Sequence, residues 1–360
     1  MRDFGDDMQQ RKVAIVIENI AEKGGTERVA SSLANALATR LGHQVELVSI
    51  SGDRAFYPLD AAVTLRFMPG RTLLWPWRLA WFLRRGRYDV IITVSMGKLS
   101  SLMVPYLRLL CPHSRLLLSE HVSFHQYAWP MKWLKVLVYR LGDRTVLLTQ
   151  KDLATISRWV PERKCQVIEN VSPFPVQSPQ TKLQQPVALA VGRLCHQKGF
   201  DRLIAAWQRV ARQTAGWQLH IVGDGPDRAA LQQQIDAAGL AEQVKLLPAT
   251  ADIAGHYRQA AMLLMTSRYE GLPMVLIEAM SFGLPLVAFD CQTGPAELID
   301  DEGNGYLVAE GDIEAFSRRT LALIDDGQLR QRFSLRSLER AQQFIPERIY
   351  PQWQQLIAGG

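Results

Sequence analysis

Short apolar runs alternate with helix-length amphipathic stretches along the chain, and the pattern occurs twice. KVAIVIE (12–18) predicts a buried strand, followed by a Gly-Gly loop and a helical pattern from Thr26 to about Leu41. QVELVSI (44–50), DVIITVS (89–95), RLLLSEH (115–121), RTVLLTQ (144–150) and CQVIEN (165–170) predict further strands, with helices in most of the gaps. VSPFPVQSPQTKLQQP (171–186) is rich in Pro, Ser and Gln and predicts a linker. The pattern restarts with strands at 187–194, 217–225, 244–248, 261–267, 285–290 and 305–308, and helices near 200–213, 227–238, 252–260 and from Pro273. Continuous apolar strands separated by helices are the signature of parallel, doubly wound α/β sheets. Two Rossmann-like halves are expected, with ligands bound beyond the carboxyl ends of the strands and a cleft between the halves.

Length agrees with two domains, since 360 residues exceed what one core usually supports. The expected bounds are an N-terminal domain over 1–175, a linker over 176–186, a C-terminal domain over 187–344 and a final helix over 345–360. Cys111, Cys165, Cys195 and Cys291 are widely spaced with no CxxC pair, which argues against a disulfide framework or zinc site and suits a reducing compartment. The start, MRDFGDDMQQRK, is polar and acidic, with Met8 an alternative first residue. No run reaches the roughly eighteen apolar residues that a spanning helix requires, so a cytoplasmic protein is expected.

Net charge is +6, but the excess is local. Between 61 and 119 stand nine Lys or Arg (Arg66, Arg71, Arg78, Arg84, Arg85, Arg87, Lys98, Arg108, Arg115) against Asp89 alone, a local +8. Trp75, Trp77 and Trp81 interleave with this charge, and Trp129 and Trp133 stand beside Lys132, Lys135 and Arg140. Trp with Lys and Arg suits an anionic membrane surface, although a surface helix with a solvated basic face shares the signature. A peripheral association with the inner face of the cytoplasmic membrane is expected. No nucleic-acid recognition motif accompanies the charge, and no nucleic-acid partner is expected.

Candidate chemistry clusters at strand ends. Gly24 and Gly25 lie between the first strand and first helix, where bare backbone and helix N–H groups can accept an anion or admit a sugar, though such a pair is also a plain turn. In VGRLCHQKGF, Gly192 ends a strand, Arg193 follows, and Lys198 precedes a helix; two cations on one loop suit a diphosphate. In SRYEGLPMVLIEAM, Glu270 closes a loop, and Gly271, Leu272 and Pro273 lead into a helix whose N-terminus can bind phosphate. Glu278 lies roughly 7.5 Å further along that helix. Two separated carboxylates fit the vicinal hydroxyls of a sugar and of a ribose, with phosphate between them.

The segments GGTERV, GRLCHQKGF, VGDGP and EGLPMVLIEAMSFGLPLV, with their Glu-x7-Glu spacing, resemble the retaining glycosyltransferases of family 4 from about Lys12 to the C-terminus. That resemblance implies the GT-B fold, an acceptor-binding first domain, a nucleotide-sugar-binding second domain, and a final helix (346–357) crossing back to the first. It assigns Arg193 and Lys198 to the donor diphosphate, Glu278 to the ribose, Glu270 to the transferred sugar, His121 to a contact near the reaction centre, and Gly24 and Gly25 to a loop against donor phosphate and acceptor. Glu297, in TGPAELI, falls in another recurrent segment. No cofactor or metal is expected, because no Asp-x-Asp motif is present and the two cations can stabilise the leaving group. The implied activity is transfer of a hexose or N-acetylhexosamine, most simply from a UDP-sugar, to a polyprenyl-diphosphate-linked or other lipid-linked saccharide in exopolysaccharide, O-antigen or glycan assembly. A Rossmann oxidoreductase is disfavoured by the absence of Gly-x-Gly-x-x-Gly at the first loop. A sugar-nucleotide epimerase and a catalytically idle sugar-nucleotide-binding scaffold are the alternatives.

Overall fold

Every strand pairing among the described residues is parallel, and the strands are built from the buried runs seen in the sequence. The computed structural model describes residues 10–68, 74–179, 185–250 and 252–359. The acidic start with Met8, Arg71 and the middle of the predicted linker lie outside them. The chain divides into two compact units, 1–171 with 346–360, and 172–345.

Unit 1 holds β1 (Lys12–Asn19), β2 (Gln44–Ser51), β3 (Val63–Phe67), β4 (Val90–Ser95), β5 (Arg115–Glu120), β6 (Arg144–Leu147) and β7 (Cys165–Val167) in the order β3-β2-β1-β4-β5-β6-β7. Its helices are α1 (Gly25–Thr39), α2 (Trp75–Gly86), α3 (Leu99–Leu110), α4 (Trp129–Leu141) and α5 (Gln150–Ile156). Alternate β1 side chains serve opposite layers, as the two-residue period of a strand dictates. Val13, Ile15 and Ile17 pack with Leu33 and Leu37 of α1, while Ala14 and Val16 pack with Leu79 and Leu83 of α2 and Met103 of α3. β3 was not anticipated: it is an edge strand with alternating burial and never forms an apolar run.

Unit 2 holds β8 (Val187–Val191), β9 (Gln218–Val222), β10 (Val244–Leu247), β11 (Met262–Met265), β12 (Leu286–Asp290) and β13 (Gly305–Ala309) in the order β10-β9-β8-β11-β12-β13. Its helices are α6 (Phe200–Ala211), α7 (Arg228–Ala237), α8 (Ile253–Gln259), α9 (Met274–Ser281), α10 (Pro295–Leu298), α11 (Ile313–Asp325) and α12 (Gly327–Ala341). Strand order reverses between β1 and β4 in unit 1 and between β8 and β11 in unit 2, the two places where a doubly wound sheet opens a crevice for ligands.

The stretch predicted as a linker is attached to unit 2 from its start. Ser172 Oγ meets Ser281 Oγ at 2.7 Å, the Gln177 N–H donates to the Ser281 carbonyl, and the Phe174 ring lies 5.1 Å from that of Phe282. Polar composition signalled a connection; the buried serine and the aromatic ring within it tie it down.

The last helix, α13 (Pro346–Ala358), belongs to unit 1. Ile349, Tyr350, Trp353, Leu356 and Ile357 form its apolar stripe and join the core of β1 and α1. Gln354 Oε1 lies 2.9 Å from His43 Nε2, and Arg40 pairs with Glu347 at 2.9 Å.

Candidate functional site

In unit 2 the candidate residues collect at the β8/β11 reversal. After β8 the chain passes Gly192 and the exposed Arg193, makes a short 3-10 turn over His196–Lys198, and enters α6 through Gly199 at φ +65°. Glycine is required at 199, because a Cβ there would collide with the Thr266 carbonyl oxygen at the end of β11. Thr266 Oγ1 donates to the Gly199 carbonyl at 2.9 Å. Arg268 forks onto Asp201 at 2.9 and 2.6 Å and also donates to the His196 carbonyl. The Arg268 hydrogen bonds hold the Asp201 carboxyl below its ordinary range. The loops after β8 and β11 are thereby fastened together.

The outcome is a pairing that neither segment announces alone: Lys198 Nζ donates to Glu270 Oε1 at 2.6 Å, with Glu270 buried and Lys198 partly so. The Lys198 stem runs over Gly192, whose missing Cβ leaves that path open. Glu270 is held from behind as well, since Thr293 Oγ1 donates to its carbonyl at 2.7 Å. Gly294, at φ +100°, lies so close to Gly271 and Pro273 that a side chain would strike both. The turn Gly271-Leu272-Pro273 is therefore clamped by Thr293 and Gly294, and Leu272 and Pro273 are buried. Nearby Cys291 remains a thiol, pushed up to about 12 by burial and by carboxylates that include Glu270.

Pro273 caps α9, whose first-turn N–H groups fall outside the helical ladder. Glu278 is buried further along α9 and accepts from Tyr257 Oη at 2.8 Å. Tyr257 stacks on Phe282, rings 5.3 Å apart and 14° from parallel. Sequence reasoning missed Tyr257, Asp201 and Arg268, whose partners stand far along the chain. Glu297 lies on α10, where its carbonyl accepts from Arg340 at 2.6 Å, a contact that ties α10 to α12.

Gly24, Gly25 and His121 belong to unit 1. Gly25 opens α1, but Glu27 folds back so that its carboxylate lies against Gly24, meeting the positive helix end with an internal acid. Beside this loop is a cavity of about 470 Å³ at the ends of β1, β2 and β4, lined by Glu18, Asn19, Glu22, Thr26, Glu27 and Ser51 among others. Carboxylates and amide oxygens accept hydrogen bonds, so this lining matches hydroxyl groups better than phosphate.

His121 follows β5. Its N–H donates to the Ser95 carbonyl, and its Nε2 lies 3.0 Å from Ser119 Oγ. Burial pushes the imidazole down to about 4, so it is neutral at physiological pH. The preceding residue, Glu120, pairs with Lys135 of α4 at 2.7 Å, and both are sealed from solvent. The Lys135 ammonium also sits over the Tyr127 and Tyr139 rings at 5.4 and 5.6 Å. A buried ion pair next to His121 was not foreseen from sequence, where Lys135 counted among surface charges.

Comparison with known proteins bears on the family and the fold. Residues 23–171 match Glycosyltransferase Family 4 and residues 174–340 match Glycosyl transferases group 1. The chain is 36% identical over 355 residues, 96% of its length and 99% of the relative's, to the amylovoran biosynthesis glycosyltransferase AmsD of Erwinia amylovora. It is 25% identical, over 96% of its length and 98% of the relative's, to a Campylobacter jejuni α-1,4-N-acetyl-D-galactosaminyltransferase whose name specifies an undecaprenol-diphosphate-linked saccharide. In fold it resembles Anabaena HepE, solved in complex with UDP, with a TM-score of 0.80 and 19% identity over 97% of this chain and 100% of that one. Two parallel Rossmann-like sheets and these neighbours make the fold GT-B. The chain belongs to the glycosyltransferases, with a family 4 domain in its first half and a group 1 domain in its second.

Proposed function

We propose that the protein is a retaining glycosyltransferase that moves a hexose or N-acetylhexosamine from a UDP-sugar to a hydroxyl of a lipid-linked saccharide in bacterial surface polysaccharide or glycan assembly. The observation that carries this reading is the Lys198–Glu270 pair at the β8/β11 reversal, with Glu278 further along the adjoining helix. Support for UDP comes from the fold's likeness to Anabaena HepE, solved in complex with UDP, and support for a lipid-linked acceptor from the Campylobacter relative, whose name specifies an undecaprenol-diphosphate-linked saccharide.

In this reading Arg193, Lys198 and the N–H groups after Gly271-Leu272-Pro273 hold the diphosphate, backed by Gly192. Glu278 takes the ribose hydroxyls, and Glu270 the hydroxyls of the transferred sugar. The bond from the anomeric carbon to the diphosphate oxygen breaks, and its electron pair leaves on that oxygen. The sugar gains oxocarbenium character, which the Glu270 carboxylate stabilises, while Lys198 and Arg193 stabilise the departing charge. The acceptor oxygen bonds to the anomeric carbon on the same face, and its proton passes to the leaving phosphate oxygen. His121, being neutral, can accept or donate one hydrogen bond to a sugar hydroxyl without adding charge. The unit 1 cavity, lined by Glu22, Thr26 and Glu27 on either side of the Gly24-Gly25 turn, takes acceptor hydroxyls. Charge neutralisation by the two cations requires no divalent ion.

The test is turnover of a panel of UDP-, GDP- and ADP-sugars with lipid-linked acceptor extract, for wild type and Glu270→Ala. One donor should be consumed, with product of retained anomeric configuration, and the variant should lose that activity. Nucleotide binding without turnover of any donor would point instead to a sugar-nucleotide-binding scaffold, and an altered sugar still attached to its nucleotide would point to an epimerase.

A further inference from the structure

Helices α2, α3 and α4 pack side by side on unit 1, and their outward faces are apolar where a solvated surface would be polar. On α4, Trp129, Trp133, Leu137 and Leu141 recur every four residues as one exposed stripe, with Trp129 72% and Leu137 55% exposed. On α3, Leu102, Tyr106 and Leu109 are exposed, Leu109 at 67%, and on α2 Trp77 and Trp81 are exposed. Aromatic contacts run across the helices: Trp77 with Tyr106, Trp129 with Trp133, and Trp133 with Trp159. Isolated exposed apolar residues are ordinary, whereas a patch spanning three adjacent helices marks an interaction site.

The charge carried by the three helices has one sign. The three helices contain no Asp or Glu, and they carry Arg78, Arg84, Arg85, Arg108, Lys132, Lys135 and Arg140. Lys135 is turned inward to Glu120, and Arg108 pairs with Asp143 at 2.8 Å. Arg84 and Arg85 are exposed, their guanidinium carbons 6.0 and 5.3 Å from the Trp81 ring. Lys132 lies 5.9 Å from the Phe124 ring. Among the described residues no helix is long and apolar enough to cross a membrane. An apolar face with Trp, on helices whose charged residues are all cations, is complementary to a surface with an apolar interior, an amphipathic boundary and negative headgroups.

We propose that the outer face of α2, α3 and α4 docks on an anionic lipid bilayer, with Trp129, Trp133, Leu137 and Leu109 entering the acyl boundary and Arg78, Arg84, Arg85 and Lys132 at headgroup phosphates. This deepens the lipid-linked acceptor reading and rests on it for its purpose, but the docking itself is measurable without any transferase assay. Sequence located two of the three helices; α3, with no marked aromatic or basic run of its own, joins them through packing.

The experiment is co-sedimentation of the full chain with phosphatidylcholine vesicles, with and without phosphatidylglycerol, for wild type, Trp129→Ser/Trp133→Ser/Leu137→Ser, and Arg84→Glu/Arg85→Glu. Circular dichroism and binding of soluble UDP verify that each variant is folded. Wild type should bind the anionic vesicles, and each variant should bind them about tenfold or more weakly. High salt should weaken the wild-type interaction, because headgroup attraction is screened. Absence of wild-type binding to anionic vesicles, or equal binding by the folded variants, overturns the proposal. A wild-type dimer that the Trp and Leu substitutions convert to monomer, with no vesicle binding by either, assigns the face to a second copy of the chain instead. Failure of every donor to turn over while vesicle binding persists would sink the transferase reading and leave the docking face standing.

Discussion

Lys198 and Glu270 stand 72 positions apart, and their charged groups meet at 2.6 Å because β8 and β11 are neighbours in the sheet. Each fixes the other's position, so they should act as a unit. Lys198→Met and Glu270→Gln are each expected to lower kcat by about 10²–10³-fold, the scale of losing one preorganised electrostatic group. The double variant should lose far less than the product of the two, because residues in direct contact are not additive. Strict additivity in kcat would show that the pair does not work as one element.

Tyr257 and Glu278 allow a test of ribose recognition. Glu278→Ala should raise the donor KM by about 10–100-fold, corresponding to roughly 1–3 kcal/mol of lost hydrogen bonding. Tyr257→Phe keeps the ring stacked on Phe282 and removes only the hydroxyl donor, so its effect should be smaller and in the same direction. The specific readout is discrimination between UDP and 2′-deoxy-UDP, by titration calorimetry. Wild type should prefer UDP, and Glu278→Ala should bind the two alike; a preference surviving in the variant would remove Glu278 from the ribose.

His121 predicts a pH dependence of stability. In the folded chain its ring stays neutral down to about pH 4, whereas the unfolded chain takes up the proton from about pH 6.5. The contribution is fully present above pH 6.5 and is lost as pH falls toward 4, amounting to up to about 3 kcal/mol. Denaturant melts across this window should show His121→Asn losing less stability on acidification than wild type. The comparison isolates His121 from His43 and His220, which burial also shifts downward. Parallel pH profiles would show that the ring titrates normally.

Gly294 tests the clamp on Gly271-Leu272-Pro273. Gly294→Ala places a Cβ against Gly271 and Pro273 at a φ of +100°, which should cost about 1–3 kcal/mol in strain. A lower Tm together with a raised donor KM is expected, because the displaced turn leads directly into α9. A lower Tm with unchanged donor KM would separate the clamp from binding.

The sequence announces some of these features and conceals others for physical reasons. β1, β4, β8 and β11 are buried on both faces, so their apolar runs stand out; β3, at an edge, has alternating burial and does not. Gly192, Lys198, Glu270 and Glu278 were visible through local spacing at strand and helix ends. The partners that hold them were not, because Arg268 reaches Asp201 and Tyr257 reaches Glu278 only after the sheet has ordered its strands. The Glu27 carboxylate over Gly24 was equally hidden, since a helix start written as GGTER offers an anion site in sequence and fills part of it in structure. Lys135 shows the same limit: among aromatics and other cations it reads as surface charge, yet it faces inward to Glu120.

The return of α13 to unit 1 has a consequence for biosynthesis. A ribosome that has translated only residues 1–345 has delivered every residue of unit 2, while unit 1 lacks Ile349, Tyr350, Trp353, Leu356 and Ile357 from its core. The domain translated first is therefore completed last, and its β1–α1 layer stays uncovered on that side until the final helix leaves the exit tunnel.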